Sequence, residues 1–255
     1  MKTRLAVFIV LALIASLFAV EVRASQDVRN TLSAWCVNQM AAWSPPGSFA
    51  VPDAKELPEE SLVRYDEIAK DAIDTVYDSK ESPIFKGKHA RAQTLGVLLS
   101  TLHSESTFRK DVDFGIGDKA RGDGGRSWCL AQIRLSIPKK DGKTKIRILI
   151  DSPFYGYNTD GSAGLGGEDL VRDRKACLRV ALHMIRGSFY ACSRYPVEAR
   201  LSSYVRRDCI RGQEISRSRM KRVSKWFKHN PPPFEDLEVL GAMEPTSPDT
   251  LALAN

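Results

Sequence analysis

Leu95, Leu98, Leu99 and Leu102 stand at i, i+3, i+4 and i+7 in a stretch that begins near residue 88 and runs to Glu105. That spacing places the four leucines on one face of a helix, which other elements must cover. The periodicity stops beyond Glu105, and Gly115, Gly117, Gly122, Gly124 and Gly125 punctuate residues 111–127, so a loop is expected there. A chain with this pattern needs a helical core around residues 88–105. It also presents a carboxylate where that helix runs out.

Other helical patterns flank this one. Val28, Leu32, Trp35 and Met40 predict a short helix over residues 26–43, ended by Ser44-Pro45-Pro46-Gly47. A Pro- and acid-rich linker is expected up to Glu60. With Ser61 as N-cap, Leu62, Tyr65, Ile68, Ala72, Ile73 and Val76 trace the apolar face of the next helix. Further helices are expected near 168–187, 196–206 and 214–228. Ile146, Ile148 and Ile150 alternate with other residues and suggest a strand in a small sheet. After Asn230 a triple proline and an acidic tail predict disorder. The expected fold class is α+β, mostly helical, with a small β element.

The N-terminus reads as an address. Lys2 and Arg4 precede an apolar run from Leu5 to Val20, and cleavage is expected after Ala24. The run is short for a membrane span, although a retained anchor is the alternative reading. Cleavage removes Lys2, Arg4, Arg23 and Glu21, which lowers the net charge from +7 to +5. An exported basic protein is drawn to anionic surfaces. Export also permits disulfides. Cys129, Cys177, Cys192 and Cys209 allow three pairings, among which sequence does not choose. Cys192 with Cys209, flanking one short helical segment, and Cys129 with Cys177 are the favoured pairs. Cys36 is then left free or joined to another chain. The cysteines lack the close pairs of a zinc site, and no metal or cofactor is expected.

Glu105 lies three residues after Leu102, about 60° round the helix, so its carboxyl leaves near the buried face. Burial and the negative helix C-terminus both favour the protonated form, which a general acid requires. The alternative is a solvated glutamate at a fraying helix end. Asp123, in the glycine-rich loop, is a second carboxylate, or else a turn residue bonding its own backbone. Asp111 and Asp113 read as loop-surface charges.

The pattern Glu105-Ser106-Thr107-Phe108, a glycine-rich loop, then Cys129-Leu130-Ala131-Gln132-Ile133 resembles that of lytic transglycosylases and goose-type lysozymes. Gln132 follows Glu105 by 27 residues, close to the spacing in those families. The resemblance covers about residues 88–210 and implies a lysozyme-like domain that cuts the β-1,4 bond between N-acetylmuramic acid and N-acetylglucosamine in peptidoglycan. It implies Glu105 as catalytic acid, Ser106 as its support, Leu130 to Ile133 as the cleft floor and Gln132 as a sugar contact. Tyr204, in Arg200-Leu201-Ser202-Ser203-Tyr204, is implied as a cleft aromatic. Asp123 resembles a loop aspartate that positions water in goose-type lysozymes. Ala131, Cys129 and Val205 depart from the family pattern, which has Met, Gly and Asn there. The implied organisation is a signal peptide at 1–24, an N-terminal helix and linker at 25–60, the catalytic domain at 61–229 and a tail at 230–255.

Rival readings use other features. His103 and His183 have no ligand partner at metal spacing and read as core or rim residues. Trp128, Tyr155 and Tyr157 read as core residues, the more common place for aromatics, with sugar stacking as the alternative. Nine cations between Arg206 and Lys228 suggest a solvated basic face or a grip on an anionic polymer. A non-catalytic glycan-binding protein and a basic binder of nucleic acid or membrane surface are therefore the alternatives to an enzyme.

Overall fold

The computed structural model describes residues 25–48, 54–135, 147–148, 157–158 and 166–243. Its helices are α1 (25–43), α2 (Pro58–Tyr77), α3 (Ala90–Ser106), α4 (Lys110–Phe114), α5 (Gly167–Arg172), α6 (Arg174–Ala191), α7 (Ser202–Arg206), α8 (Gln213–His229) and α9 (Asp236–Met243). Strands β1 (Ser127–Trp128) and β2 (Ile133–Arg134) pair antiparallel, with Trp128 opposite Ile133. Strands β3 (Arg147–Ile148) and β4 (Tyr157–Asn158) form a second antiparallel pair. The protein is mostly helical with a small β element, as expected. Ile146, Ile150, Tyr155, the signal peptide call and residues 244–255 lie outside the described residues.

Helix α3 is the axis of the fold. Its leucines are buried as the periodicity predicts, but Ala92, Thr94, Val97, Ser100 and Thr101 are buried too, so it is enclosed on nearly all sides. Helices α2, α6, α8 and α9 pack around it. Gly96 permits the approach of α8, because a Cβ there would press on Val223 and Phe227. On α2 the buried face is Tyr65, Ile68, Ala69, Ala72, Ile73 and Val76, while Leu62 is exposed. That helix begins before the expected cap at Ser61. Pro58 supplies the preset φ of its first turn, and Glu60 accepts from the Leu57 amide at 3.0 Å.

Two boundaries differ from expectation. Helix α1 is not an appendage: Leu32, Cys36 and Met40, at i, i+4 and i+8, are buried in the common core. Trp35 stacks on Trp226 at 4.0 Å between centroids. The tail from residue 230 to 243 is ordered and docked. Asp236 accepts from the amides of Arg91 at 2.7 Å and Ala92 at 3.2 Å, capping α3 from a distance, and Val239 is fully buried. An acidic, proline-bounded segment thus folds because its aspartate satisfies orphan amides of the central helix.

Both favoured disulfides are present, Cys129–Cys177 and Cys192–Cys209. Cys36 is free and completely buried, which keeps it from any other chain, and burial pushes its thiol up. Among the described residues no helix is long and apolar enough to cross a membrane.

Candidate active site

Glu105 is placed by an abrupt end to α3. Thr107 and Phe108 both have positive φ, 50° and 53°, a conformation that branched and bulky side chains rarely adopt. Burial of Phe108 against Tyr65 and His103 (ring centroids 5.6 and 5.8 Å away) holds it. The Ser44 hydroxyl donates to the Thr107 carbonyl at 2.8 Å, which fixes the same turn. The strain turns the chain sharply just after Glu105.

The Glu105 side chain is 24% exposed and its Oε1 accepts from Nη2 of Arg219 on α8 at 2.7 Å. The Arg219 side chain is 7% exposed, and its Nε and Nη1 have no acceptor among the described residues. The carboxyl is partly buried, as expected, and Arg219 gives it a charge-assisted hydrogen bond. Ser106 does not support Glu105. Its hydroxyl donates back to the Leu102 carbonyl at 2.9 Å and the residue is buried within the helix turn. His103 donates through Nε2 to the Trp43 carbonyl at 3.0 Å, and burial pushes the imidazole down.

Facing Glu105 is the segment from Asp118 to Leu135. Gln132 holds it together: its Oε1 accepts from the Gly122 amide at 2.9 Å, and its Nε2 donates to the carbonyls of Cys129 at 3.2 Å and Ala120 at 3.3 Å. A Cβ on Gly122 would press on that Gln132 oxygen and displace it from the amide it accepts from. Leu130, Ala131 and Ile133 are buried, and Ile133 points into the core rather than to a sugar. The Cys129–Cys177 bridge ties the β1–β2 hairpin to α6. Trp128 lies between Gly167 and the Arg121 guanidinium, 4.0 Å from its ring, in a packing role.

Asp123 sits in a single turn, Gly122–Gly125, with φ 51°. Its side chain is 54% exposed, accepts from the Ser127 hydroxyl at 3.2 Å and lies 3.7 Å from Arg134. Tyr204 comes from α7, and its hydroxyl donates to the Ala131 carbonyl at 3.0 Å. Glu105, Asp123, Gln132 and Tyr204 all line one cleft of about 750 Å³. Its other walls come from Met184, Gly187 and Ser188 on α6 and from Arg134, Arg206 and Arg207.

Asp111 and Asp113 are not surface charges. Both are buried, Asp111 paired with Arg109 and Asp113 held by Arg174 at 2.8 Å and by Arg64 at 3.8 Å. Asp113 fastens α4 to α2 and α6. His183 meets Glu81 at 2.9 Å. Burial pushes the Glu81 carboxyl up, but hydrogen bonds from His183 and Arg186 prevail and bring it down to about 2. The nine cations of residues 206–228 do not form one face. Arg206 and Arg207 line the cleft, Arg219 and Arg222 turn toward α3, and Arg217, Lys221, Lys225 and Lys228 face outward.

Arg219, the partner of Glu105, is not a residue that the sequence singles out as a site residue. A signal existed, since it falls between Ser216, Met220 and Val223 on the buried stripe of α8, where a charge demands a partner. Among the described residues no cluster of His, Cys, Asp or Glu could hold a metal ion. No protein-family model, curated protein or solved structure matches the chain.

Proposed function

We propose that this protein is an exported peptidoglycan-cleaving glycosidase, a lytic transglycosylase or muramidase on a lysozyme-like fold, with Glu105 as its general acid and base. The observation that carries the reading is convergence. Glu105, Gln132 and Tyr204, named from a resemblance spread over a hundred residues, meet in one cleft. The two disulfides support an oxidising, exported setting.

In this reading Glu105 protonates the leaving glycosidic oxygen as the anomeric C–O bond breaks through an oxocarbenium-like transition state. Arg219 then stabilises the carboxylate left behind. That carboxylate takes the proton of the attacking hydroxyl, either the 6-hydroxyl of the muramyl sugar or a water. A water route gives Asp123 a role, and its exposed position on the cleft leaves it open to solvent. Gln132 holds the loop wall in shape through its backbone bonds, so its part is positioning rather than the direct sugar contact first expected.

A second reading, a non-catalytic glycan-binding protein on the same fold, is favoured by one observation: Glu105 is already engaged by Arg219. Turbidity clearing of purified sacculi separates the two. The enzyme reading expects clearing by the wild type and a loss of about 10²–10⁴-fold in Glu105→Gln. Sedimentation of both proteins with sacculi, without clearing by either, supports the binding reading.

A further inference from the structure

Arg206 and Arg207 close α7 at one end of the cleft, and both are exposed. Neither has a carboxylate within ion-pair distance among the described residues. The next acid along the chain, Asp208, is engaged by the backbone, its Oδ1 accepting from the amides of Ile210 at 2.6 Å and Arg211 at 3.0 Å. Those hydrogen bonds hold the Asp208 carboxyl below its ordinary range, so it stays an anion committed to the backbone. Arg207 has φ 55° and its amide donates to the Ser203 carbonyl at 2.8 Å. Two residues on, Cys209 is tied to Cys192 at the end of α6, next to the cleft residue Ala191.

Two guanidinium groups thus line the cleft on a capped, disulfide-anchored segment, with no carboxylate partner among the described residues. Arg134 also lines the cleft, where it is ion-paired with Asp123 at 3.7 Å and so adds no unpaired charge. Within the same cleft Glu105 is already neutralised by Arg219. Among the described residues, the positive charge at the α7 end of the cleft is therefore unpaired. Planar arginine forks match carboxylate and phosphate oxygens.

We infer that the cleft takes glycans bearing an anionic substituent, received by Arg206 and Arg207, and discriminates against the same glycan when that group is neutral. This rests on the glycosidase reading for the choice of glycan, but it concerns binding and needs no catalysis. Two sources of such an anion are a carboxylate on the glycan strand itself and the phosphates of a phosphate-bearing wall polymer.

Titration calorimetry on the full-length mature chain carrying Glu105→Gln tests it, with N-acetylmuramic acid–N-acetylglucosamine oligomers as free acids and as methyl esters. The free acid is expected to bind about fivefold tighter at low salt, with the gap closing as salt rises. Arg206→Gln/Arg207→Gln should bring the acid-to-ester ratio toward one, and Arg206→Lys/Arg207→Lys should recover part of it. Near-UV circular dichroism checks that the variants are folded, and the salt dependence of the parent protein tests the same point without them. Competition by a glycerol-phosphate polymer, lost in the Gln variant, supports the anion site and names phosphate as its source. Equal binding of acid and ester, or a ratio unchanged in the Gln variant, overturns the inference. Acid preference in a protein that clears no sacculi would defeat the enzyme reading alone, whereas clearing without any preference defeats this inference alone.

Discussion

Arg219, buried on α8, donates through Nη2 to Oε1 of Glu105 at 2.7 Å, linking α8 to the end of α3 where Glu105 enters the cleft. The pair has a stability consequence that is separable from catalysis. Glu105→Gln keeps an oxygen for Arg219 to use. Glu105→Ala leaves a buried guanidinium without an acceptor, and breaking such pairs from one side costs about 3 kcal/mol. Urea unfolding should therefore show the Ala variant well below the Gln variant. Equal midpoints would mean that Arg219 finds water or another partner, and that the pair does not organise the cleft.

The disulfides should contribute unequally. Cys129–Cys177 spans a separation of 48 residues and Cys192–Cys209 one of 17. Chain entropy then assigns about 4 kcal/mol to the first and about 3 kcal/mol to the second. Paired Cys→Ser variants measured by denaturant unfolding check the order. Loss of the first should also open residues 120–135 to limited proteolysis, because it releases the cleft wall from α6.

Asp236 should matter far more than a tail residue does. Its carboxylate bonds the amides of Arg91 and Ala92 and accepts from the Tyr77 hydroxyl at 3.1 Å. Asp236→Ala is expected to destabilise by about 2 kcal/mol and to release α9. Hydrogen exchange would show faster amides at both Arg91 and Val239. If only the tail amides change, the cap is not what holds α3.

The Glu81 carboxyl, held at about 2 by His183 and Arg186, sets an acid limit. A carboxyl depressed on folding contributes stability that is full above its unfolded value near 4.5 and lost as pH falls toward 2. Thermal unfolding of the wild type should thus decline between about pH 4.5 and 2, and Glu81→Gln should flatten that decline. An unchanged slope in the variant places the acid sensitivity elsewhere.

Much of this was legible in the sequence, for identifiable reasons. The spacing of Leu95, Leu98, Leu99 and Leu102 reports a buried helix whatever covers it. Glu105, Gln132 and Tyr204, far apart in the chain, line one cleft. What stayed hidden depends on partners far away in sequence. Asp113 looks like a loop charge until Arg64 and Arg174 reach it, and the tail looks disordered until Asp236 finds the start of α3. Ser106 beside Glu105 looks like its support, but the α3 backbone offers the Leu102 carbonyl first. Periodicity shows which face is apolar. It does not show which ion pairs close over it.

The most direct test is mass spectrometry of soluble products from purified sacculi incubated with wild-type protein and with Glu105→Gln. The account predicts muropeptides from the wild type alone, ending in anhydro-muramic acid if the 6-hydroxyl attacks or in reducing muramic acid if water does. Equal release by both proteins, or none by a folded wild type, contradicts it.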